Sequence, residues 1–160
     1  MTFANLNQNV EASDKAFDRL SVDDQLALLW YVYTEMGENI TPAAPAAASP
    51  EIASGLYQQV EAMDKQAQLQ AMRDIAGRKN TQISREYGSL SANTKLAFWY
   101  RLAQGMDDGS IIGMPDDYKM AEEGDRLLAA LETMEFEQQI TFLRDAAMGM
   151  GAEPKPGAAI

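Results

Sequence analysis

The sequence of 160 residues contains no cysteine and no histidine. The lack of cysteine excludes disulfides and thiolate chemistry, and the two absences together exclude zinc sites with Cys or His ligands. A catalytic triad that depends on histidine is excluded as well. No Gly-rich phosphate loop occurs, and no motif supports a metal site built from carboxylates alone. We therefore expect a protein that is not an enzyme and holds no metal.

Long apolar runs and an excess of positive charge are also missing. No run reaches the roughly 18 apolar residues that a membrane span requires, and the N-terminal residues lack the layout of a secretory signal. The net charge of −11 argues against nucleic acid as a partner. Hydrophobic residues make up 46% of the chain, enough for a core, and the length is that of one domain. A cytoplasmic, single-domain protein is the expectation.

Two segments that begin with serine predict amphipathic helices. Ser21 precedes an apolar run and has Asp24 three residues later, which is typical of a capping box. We expect this helix to end at Gly37. Ser91 predicts the start of a second helix. The apolar residues that these helices carry are Leu26, Leu29, Trp30, Tyr33 and Met36 in the first, and Leu96, Phe98, Trp99, Tyr100, Leu102 and Met106 in the second.

Further helical patterns cover residues 50–63, 69–76, 125–134 and 135–148. Segments rich in proline or glycine predict loops at residues 38–50 and 107–118. No segment alternates with period two, so we expect no sheet. The prediction is an all-α fold, with one domain over residues 1–150 and a flexible C-terminal tail over 151–160.

The chain repeats itself at an offset of about 70 residues, which becomes 71 further along. Leu20 and Ser21 match Leu90 and Ser91 in this way. Additional matching pairs are Leu26–Leu96, Ala27–Ala97, Trp30–Tyr100, Met36–Met106, Leu56–Leu127, Gln68–Gln139, Arg73–Arg144, Asp74–Asp145 and Ala76–Ala147. Two helical halves related by a pseudo-twofold axis would explain the pattern, and they would leave a seam between them.

Aromatic and methionine side chains cluster in the segments that the duplication places centrally. Methionine adapts to irregular apolar surfaces, and aromatic faces contact flat ligands. The clustered residues are Trp30, Tyr33, Trp99, Tyr100, Met106, Met114 and Tyr118. Such a set serves as plain core in some proteins and as a ligand site in others. Periodicity alone does not separate these two readings.

Four segments resemble the N-terminal domain of the orange carotenoid protein. They are DDQLALLWYVYTEMG, ITPAAPAAAS, KLAFWYRL and QQITFLRDAAMGMG, at residues 23–37, 40–49, 95–102 and 138–151. The resemblance covers about residues 17–151 and does not include that protein's C-terminal, light-sensing domain. The chain is thus similar to the helical carotenoid proteins, which are stand-alone relatives of the N-terminal domain.

The resemblance implies two interleaved four-helix bundles with a keto-carotenoid, such as canthaxanthin or echinenone, in the groove between them. Tyr33 and Trp99 would flank one end ring of the pigment. The implied lining residues are Leu26, Leu29, Trp30, Tyr33, Met72, Trp99, Tyr100, Met106, Met114, Pro115, Tyr118, Ile140 and Met150. Met114 stands where the family has isoleucine. Arg144 and Asn93 occupy positions that the two-domain relative uses for contacts with its other domain or, for the arginine, with the phycobilisome.

Arg73 departs from the family pattern, because the two-domain relative has a cysteine there. A charged side chain departs from the apolar wall that the resemblance implies, and we expect Arg73 to pair with Asp74 or with glutamates at the surface. Arg73 also repeats Arg144, so a structural role for Arg144 stays open.

The implied function is photoprotection by quenching of singlet oxygen. Alternatives are quenching of the phycobilisome antenna by direct docking, and exchange of carotenoid with a homologue of the missing C-terminal domain. The thylakoid surface would then be the source of pigment. The remaining hypothesis is a helical adaptor protein that binds no pigment.

Overall fold

The computed structural model describes residues 3–43 and 50–153. These residues form eight α-helices and no strand, which confirms the predicted all-α fold. The helices are α1 (Phe3–Asp18), α2 (Val22–Ala43), α3 (Pro50–Glu61), α4 (Lys65–Ala76), α5 (Gln82–Gly88), α6 (Ala92–Asp108), α7 (Glu122–Glu132) and α8 (Phe136–Met148).

The two predicted serine caps are present. The Ser91 hydroxyl accepts a hydrogen bond from the Thr94 amide at 3.2 Å, and the Ser21 hydroxyl accepts one from the Asp24 amide at 3.2 Å. These bonds satisfy amide groups that have no partner inside the first helical turn. The carboxylate of Asp24 does not complete a capping box, however, because it accepts hydrogen bonds from a distant loop.

The predicted end of α2 was wrong. Gly37 lies inside this helix, which continues to Ala43, so the loop begins later than residue 38. A glycine inside a helix costs about 1 kcal/mol. The packing of α2 against α4, α6 and α7 outweighs that cost. Residues 44–49 of the predicted loop lie outside the described residues.

Two helices were not predicted. The sequence of α1 is mostly polar, and α5 is only seven residues long. Both are stabilised by tertiary contacts, α1 against α7 and α8, and α5 against α3 and α4. Such contacts override a weak local pattern.

The segment after α8 is anchored where it leaves the helix. The Gly151 amide donates a hydrogen bond to the Ile75 carbonyl at 2.8 Å, and the Ala152 amide donates one to the Ser84 carbonyl at 3.1 Å. Met150 is buried. The prediction of a flexible tail therefore starts too early, and residues 154–160 of that tail lie outside the described residues.

The helices form two interleaved bundles, as the resemblance implied. One bundle contains α1, α2, α7 and α8, and the other contains α3, α4, α5 and α6. At the repeat offset α2 corresponds to α6, α3 to α7, α4 to α8, and the last part of α1 to α5. Each bundle thus takes helices from both halves of the sequence. Contacts of α2 with α4 and α6, and of α6 with α8, join the bundles along the seam.

The core holds both bundles together with large buried side chains. Phe17 meets Phe142 edge to face at 5.6 Å between ring centroids, and Tyr87, Phe98 and Trp99 form a second cluster at 5.6–6.1 Å.

None of the helices in the described ranges combines the length and apolarity that crossing a bilayer demands.

Candidate functional site

A cavity of about 290 Å³ lies at the seam, between α2, α4, α6 and the segment that joins α6 to α7. Its walls are mainly apolar. The predicted ligand-binding residues that line it are Leu26, Leu29, Trp30, Tyr33, Met72, Trp99, Met106, Met114, Pro115 and Tyr118. The duplication and the aromatic pattern had located this seam, and the structure brings the side chains of both halves onto one cavity.

Three predicted ligand-binding residues lie outside this lining. The ring of Tyr100 is 6.1 Å from that of Tyr33, which itself faces the cavity. Ile140 and Met150 are buried in the core. Tyr100 and Ile140 are the repeats of Trp30 and Leu69, two cavity residues, and therefore occupy the corresponding place in the other half. Their role in binding stays a prediction.

Hydrogen bonds fix the two aromatic rings that the resemblance singled out. The Tyr33 hydroxyl donates to the Leu96 carbonyl at 3.0 Å. The Trp99 indole N–H donates to the Tyr87 hydroxyl at 2.8 Å, which donates in turn to the Ala147 carbonyl at 2.6 Å. Burial raises the pKa of Tyr33 and of Tyr87 above the ordinary range, so both hydroxyls keep their protons. These hydrogen bonds hold the rings of Tyr33 and Trp99 in the wall of the cavity.

Arg73 lies at the edge of the cavity and is paired with Asp23. Its Nε and Nη2 atoms donate to the two carboxylate oxygens of Asp23 at 2.8 and 3.2 Å. The side chains are 42% and 44% exposed, so the pair stands where the cavity meets solvent. This hydrogen bond raises the pKa of Arg73. The expected pairing with Asp74 or with glutamates was wrong: Asp23, on the neighbouring helix α2, is the acid within reach.

A second polar contact lies at the same end of the cavity. The Tyr118 hydroxyl donates to Oδ1 of Asp24 at 2.6 Å, and the Ala121 amide donates to Oδ2 at 3.0 Å. Burial and this carboxylate raise the pKa of Tyr118. Asp24 thereby ties the segment between α6 and α7 to the start of α2.

The buried amide of Gln68 holds the other end of that segment. Its Nε2 atom donates to the Ser110 carbonyl at 3.0 Å, and its Oε1 atom accepts from the Ile112 amide at 2.8 Å. These contacts position the backbone from which Met114 and Pro115 face the cavity. The sequence marked Gln68 only as a member of the repeat.

Several cavity residues were missed as ligand-binding candidates. They are Asp23, Ala27, Gln66, Leu69, Arg73, Leu102, Ala103, Ile112 and Gly113. For Ala27, Leu102 and Ala103 a signal existed, because they share helices with predicted lining residues. The small side chains among them leave the space that the larger rings enclose.

The two predicted partner-binding residues contact each other. Nε of Arg144 donates to Oδ1 of Asn93 at 3.0 Å, and both side chains are half-buried. By the repeat offset this pair is the counterpart of Arg73 and Asp23. It does not line the cavity.

Within the described ranges, no group of three or more acidic residues could hold a metal ion.

The model of the family described as orange carotenoid protein, N-terminal, matches residues 4–153. The chain belongs to this family. A member from Nostoc sp. (strain PCC 7120), named orange carotenoid-binding domain-containing protein, is 51% identical over 145 residues, which are 91% of this chain and 85% of that one.

Solved structures in the same family agree with this assignment. The red carotenoid protein of Anabaena (Nostoc) sp. PCC 7120, solved with canthaxanthin, superposes with a TM-score of 0.81 at 45% identity over 90% of this chain and 99% of that one. The orange carotenoid protein of the same organism, also with canthaxanthin, gives a TM-score of 0.83 at 34% identity over 96% of this chain. The match covers 52% of that longer protein.

Proposed function

We propose that this chain binds a keto-carotenoid in the cavity at the seam and protects against light damage by quenching singlet oxygen. The observation that carries the proposal is the apolar cavity between the two bundles, with Tyr33 and Trp99 fixed in its wall. Family membership and the canthaxanthin in two related structures support it.

The residues present suit such a ligand. Leu, Met, Trp and Tyr side chains form most of the cavity wall, and burial of apolar surface against them contributes about 25 cal/mol per Å². When bound, a long conjugated polyene supplies a low-lying triplet state that takes up the energy of singlet oxygen and releases it as heat. The chain's own part is to exclude water and to hold the ligand's conformation between side chains that hydrogen bonds keep in place.

Expression in cells that make canthaxanthin tests the first half of the proposal. A coloured protein with stoichiometric pigment is the expected product, and a colourless one would overturn the proposal. The lifetime of singlet-oxygen phosphorescence, measured with the pigmented protein and with the same protein after pigment extraction, tests the second half. The pigmented sample should shorten the lifetime more than the extracted one.

A second function, docking to the phycobilisome as an antenna quencher, is favoured by the contact of Arg144 with a neutral amide. Among the residues that the structure describes, no carboxylate lies within ion-pair distance of Arg144, whereas Asp23 compensates the charge of Arg73. A half-buried cation of this kind suits an acidic partner. The pigmented protein should then shorten the fluorescence lifetime of phycobilisomes at low salt. Arg144→Glu should abolish this effect, while Arg126→Glu on the exposed face of α7 should not.

Pigment carriage is the third use of the same cavity. Its open end, where Arg73 and Asp23 meet solvent, offers a route for entry and exit. Mixing the pigmented chain with a colourless homologue of the C-terminal domain would transfer colour to that homologue. Thylakoid membranes would be the pigment source in the cell.

A further inference from the structure

The cavity is apolar except at one end, where Arg73 forms part of the wall. Asp23 engages two of the five N–H groups of this guanidinium, at Nε and Nη2. The remaining N–H groups belong to Nη1 and Nη2. Because Asp23 holds the planar group from one side, these donors have a defined direction rather than the freedom of a surface arginine.

Neighbouring polar groups are less suited to donate into the cavity. The hydroxyl proton of Tyr118 is engaged by Asp24 at 2.6 Å. Asp23 is a carboxylate and only accepts hydrogen bonds. Gln66 also contributes to the lining, but its side chain is exposed and lies at the solvent side. Arg73 is therefore the strongest donor at this end.

We propose that Arg73 determines ligand specificity by donating a hydrogen bond to the carbonyl oxygen on the end ring of the carotenoid. This inference rests on the proposed function. An unoxygenated ring in the same place would separate the guanidinium from water without offering an acceptor, which is unfavourable. Sites that contain a hydrogen-bond donor reject analogues lacking the acceptor far more strongly than apolar walls reject a small change in size. The cavity thus selects keto-carotenoids over hydrocarbon carotenoids.

Competition between canthaxanthin and β-carotene tests the inference, because the second molecule lacks the carbonyls of the first. The chain is loaded with an equimolar mixture, and the bound pigments are extracted and quantified. The parent chain should favour canthaxanthin, and Arg73→Leu should lower that preference about tenfold, since a hydrogen bond to a charged donor at a half-exposed site is worth this order. Arg144→Leu changes the repeated arginine outside the cavity and should leave the ratio unchanged.

Two further variants separate the donor from the ion pair. Asp23→Asn removes the charge of the salt bridge but keeps an acceptor oxygen that holds the guanidinium in place, so the preference should persist in large part; a loss as large as that of Arg73→Leu would overturn the proposal. Gln66→Leu changes another lining residue, so only the ratio of the bound pigments is compared. That ratio should equal the parent's, and a loss there with none in Arg73→Leu would overturn the proposal by assigning the donor to Gln66. Far-ultraviolet circular dichroism checks that each variant folds.

A spectroscopic readout is independent of the competition. The carbonyl stretch of bound canthaxanthin, measured by infrared difference spectroscopy, should lie at lower frequency in the parent chain than in Arg73→Leu. Equal frequencies and equal pigment ratios in the two proteins would overturn the inference and leave carotenoid binding intact. A parent chain that takes up neither pigment would overturn the proposed function as well.

Discussion

The two halves of the chain place an arginine at the same point of the repeat and give it different partners. In the first half Arg73 pairs with the carboxylate of Asp23 beside the cavity. In the second half Arg144 pairs with the amide of Asn93, away from it. Duplication of the helices has therefore not duplicated the surface. The interleaved fold thus gives both halves the same arrangement of helices, whereas individual side chains differ, so that one arginine lines the cavity and the other does not.

The same contrast extends into the core. Phe17 in the first half packs edge to face on Phe142, and the side chain of Gln25 donates to its carbonyl at 2.9 Å. At the corresponding positions the second half has Tyr87 and Lys95, whose ammonium lies 5.4 Å from the tyrosine ring. Burial lowers the pKa of Lys95. The second half thus has a cation beside its ring and a buried chain of hydrogen bonds through Tyr87, whereas the first half has ring packing and one side-chain hydrogen bond.

Trp99→Leu should have the largest effect, because it removes the indole that donates to Tyr87. Leucine is the replacement because Leu29 stands at the corresponding position of the first half. Removing a buried indole and leaving the Tyr87 hydroxyl without its donor should cost about 3 kcal/mol of unfolding free energy. Pigment yield should fall as well. Urea denaturation measures the first effect. Trp30→Leu, at a half-buried ring in the same wall, is the control, and an equal loss there would contradict the role of the hydrogen-bond chain.

Tyr87→Phe gives the second half the residue that the first half has at this point, since Phe17 is the counterpart of Tyr87. The change leaves the Trp99 indole N–H without its acceptor in the core, whereas the Ala147 carbonyl still accepts from the Met150 amide at 3.3 Å. The loss should be about 1–3 kcal/mol of unfolding free energy. Denaturant midpoints compare it with Tyr31→Phe, a half-buried tyrosine that should change stability by less than about 0.5 kcal/mol. Equal midpoints for the two variants would show that the network adds nothing to stability.

The repeat also places different polar residues, Asp14 and Ser84, at the same point of the two halves. Burial raises the pKa of its carboxyl to about 8, and Asp145, Asp18 and Glu11 act in the same direction. No described residue donates to its buried Oδ1 atom. Its counterpart is Ser84, whose hydroxyl lies 3.4 Å from the Asp74 carbonyl.

The folded chain keeps the Asp14 proton up to about pH 8, whereas the ordinary value is 3.8. The folded state thus binds more protons between these limits, so this group's contribution to stability falls as the pH rises from about 4 to 8. Asp14→Ser should remove this loss of stability with rising pH, because serine has no carboxyl group to titrate. After allowance for solvent screening we expect a gain of about 1 kcal/mol at pH 8.5, or about 2–4 °C in Tm, and almost none at pH 4. Tm is measured against pH for the parent chain and for Asp14→Ser. If the difference between them is the same at every pH, the raised pKa of Asp14 is contradicted.

The helices with a serine cap and a strong apolar face could be predicted from the sequence, and the repeat located the seam between them. Helices α1 and α5 could not, because contacts with other helices rather than local pattern stabilise them. The cavity's aromatic wall was predictable as well, because its rings belong to the apolar faces of these helices. Its polar end was not: the partner of Arg73 lies 50 residues away, and that of Tyr118 lies 94 residues away. No spacing rule connects such distant residues.

The smallest expected effect comes from exchanging the two arginine partners. Asp23→Asn gives Arg73 an amide partner, as Arg144 has in the parent chain. Asn93→Asp gives Arg144 a carboxylate partner, as Arg73 has. The double variant therefore keeps the net charge of the parent. Each half-exposed ion pair contributes less than about 1 kcal/mol. Asp23→Asn should therefore destabilise slightly, Asn93→Asp should stabilise slightly, and the double variant should return to the parent value. Because added salt screens exposed charges, both single effects should shrink between low and high ionic strength. Single effects that persist at high salt would mean that the Asp23 and Asn93 side chains differ in packing, and that the halves diverged by shape rather than by charge.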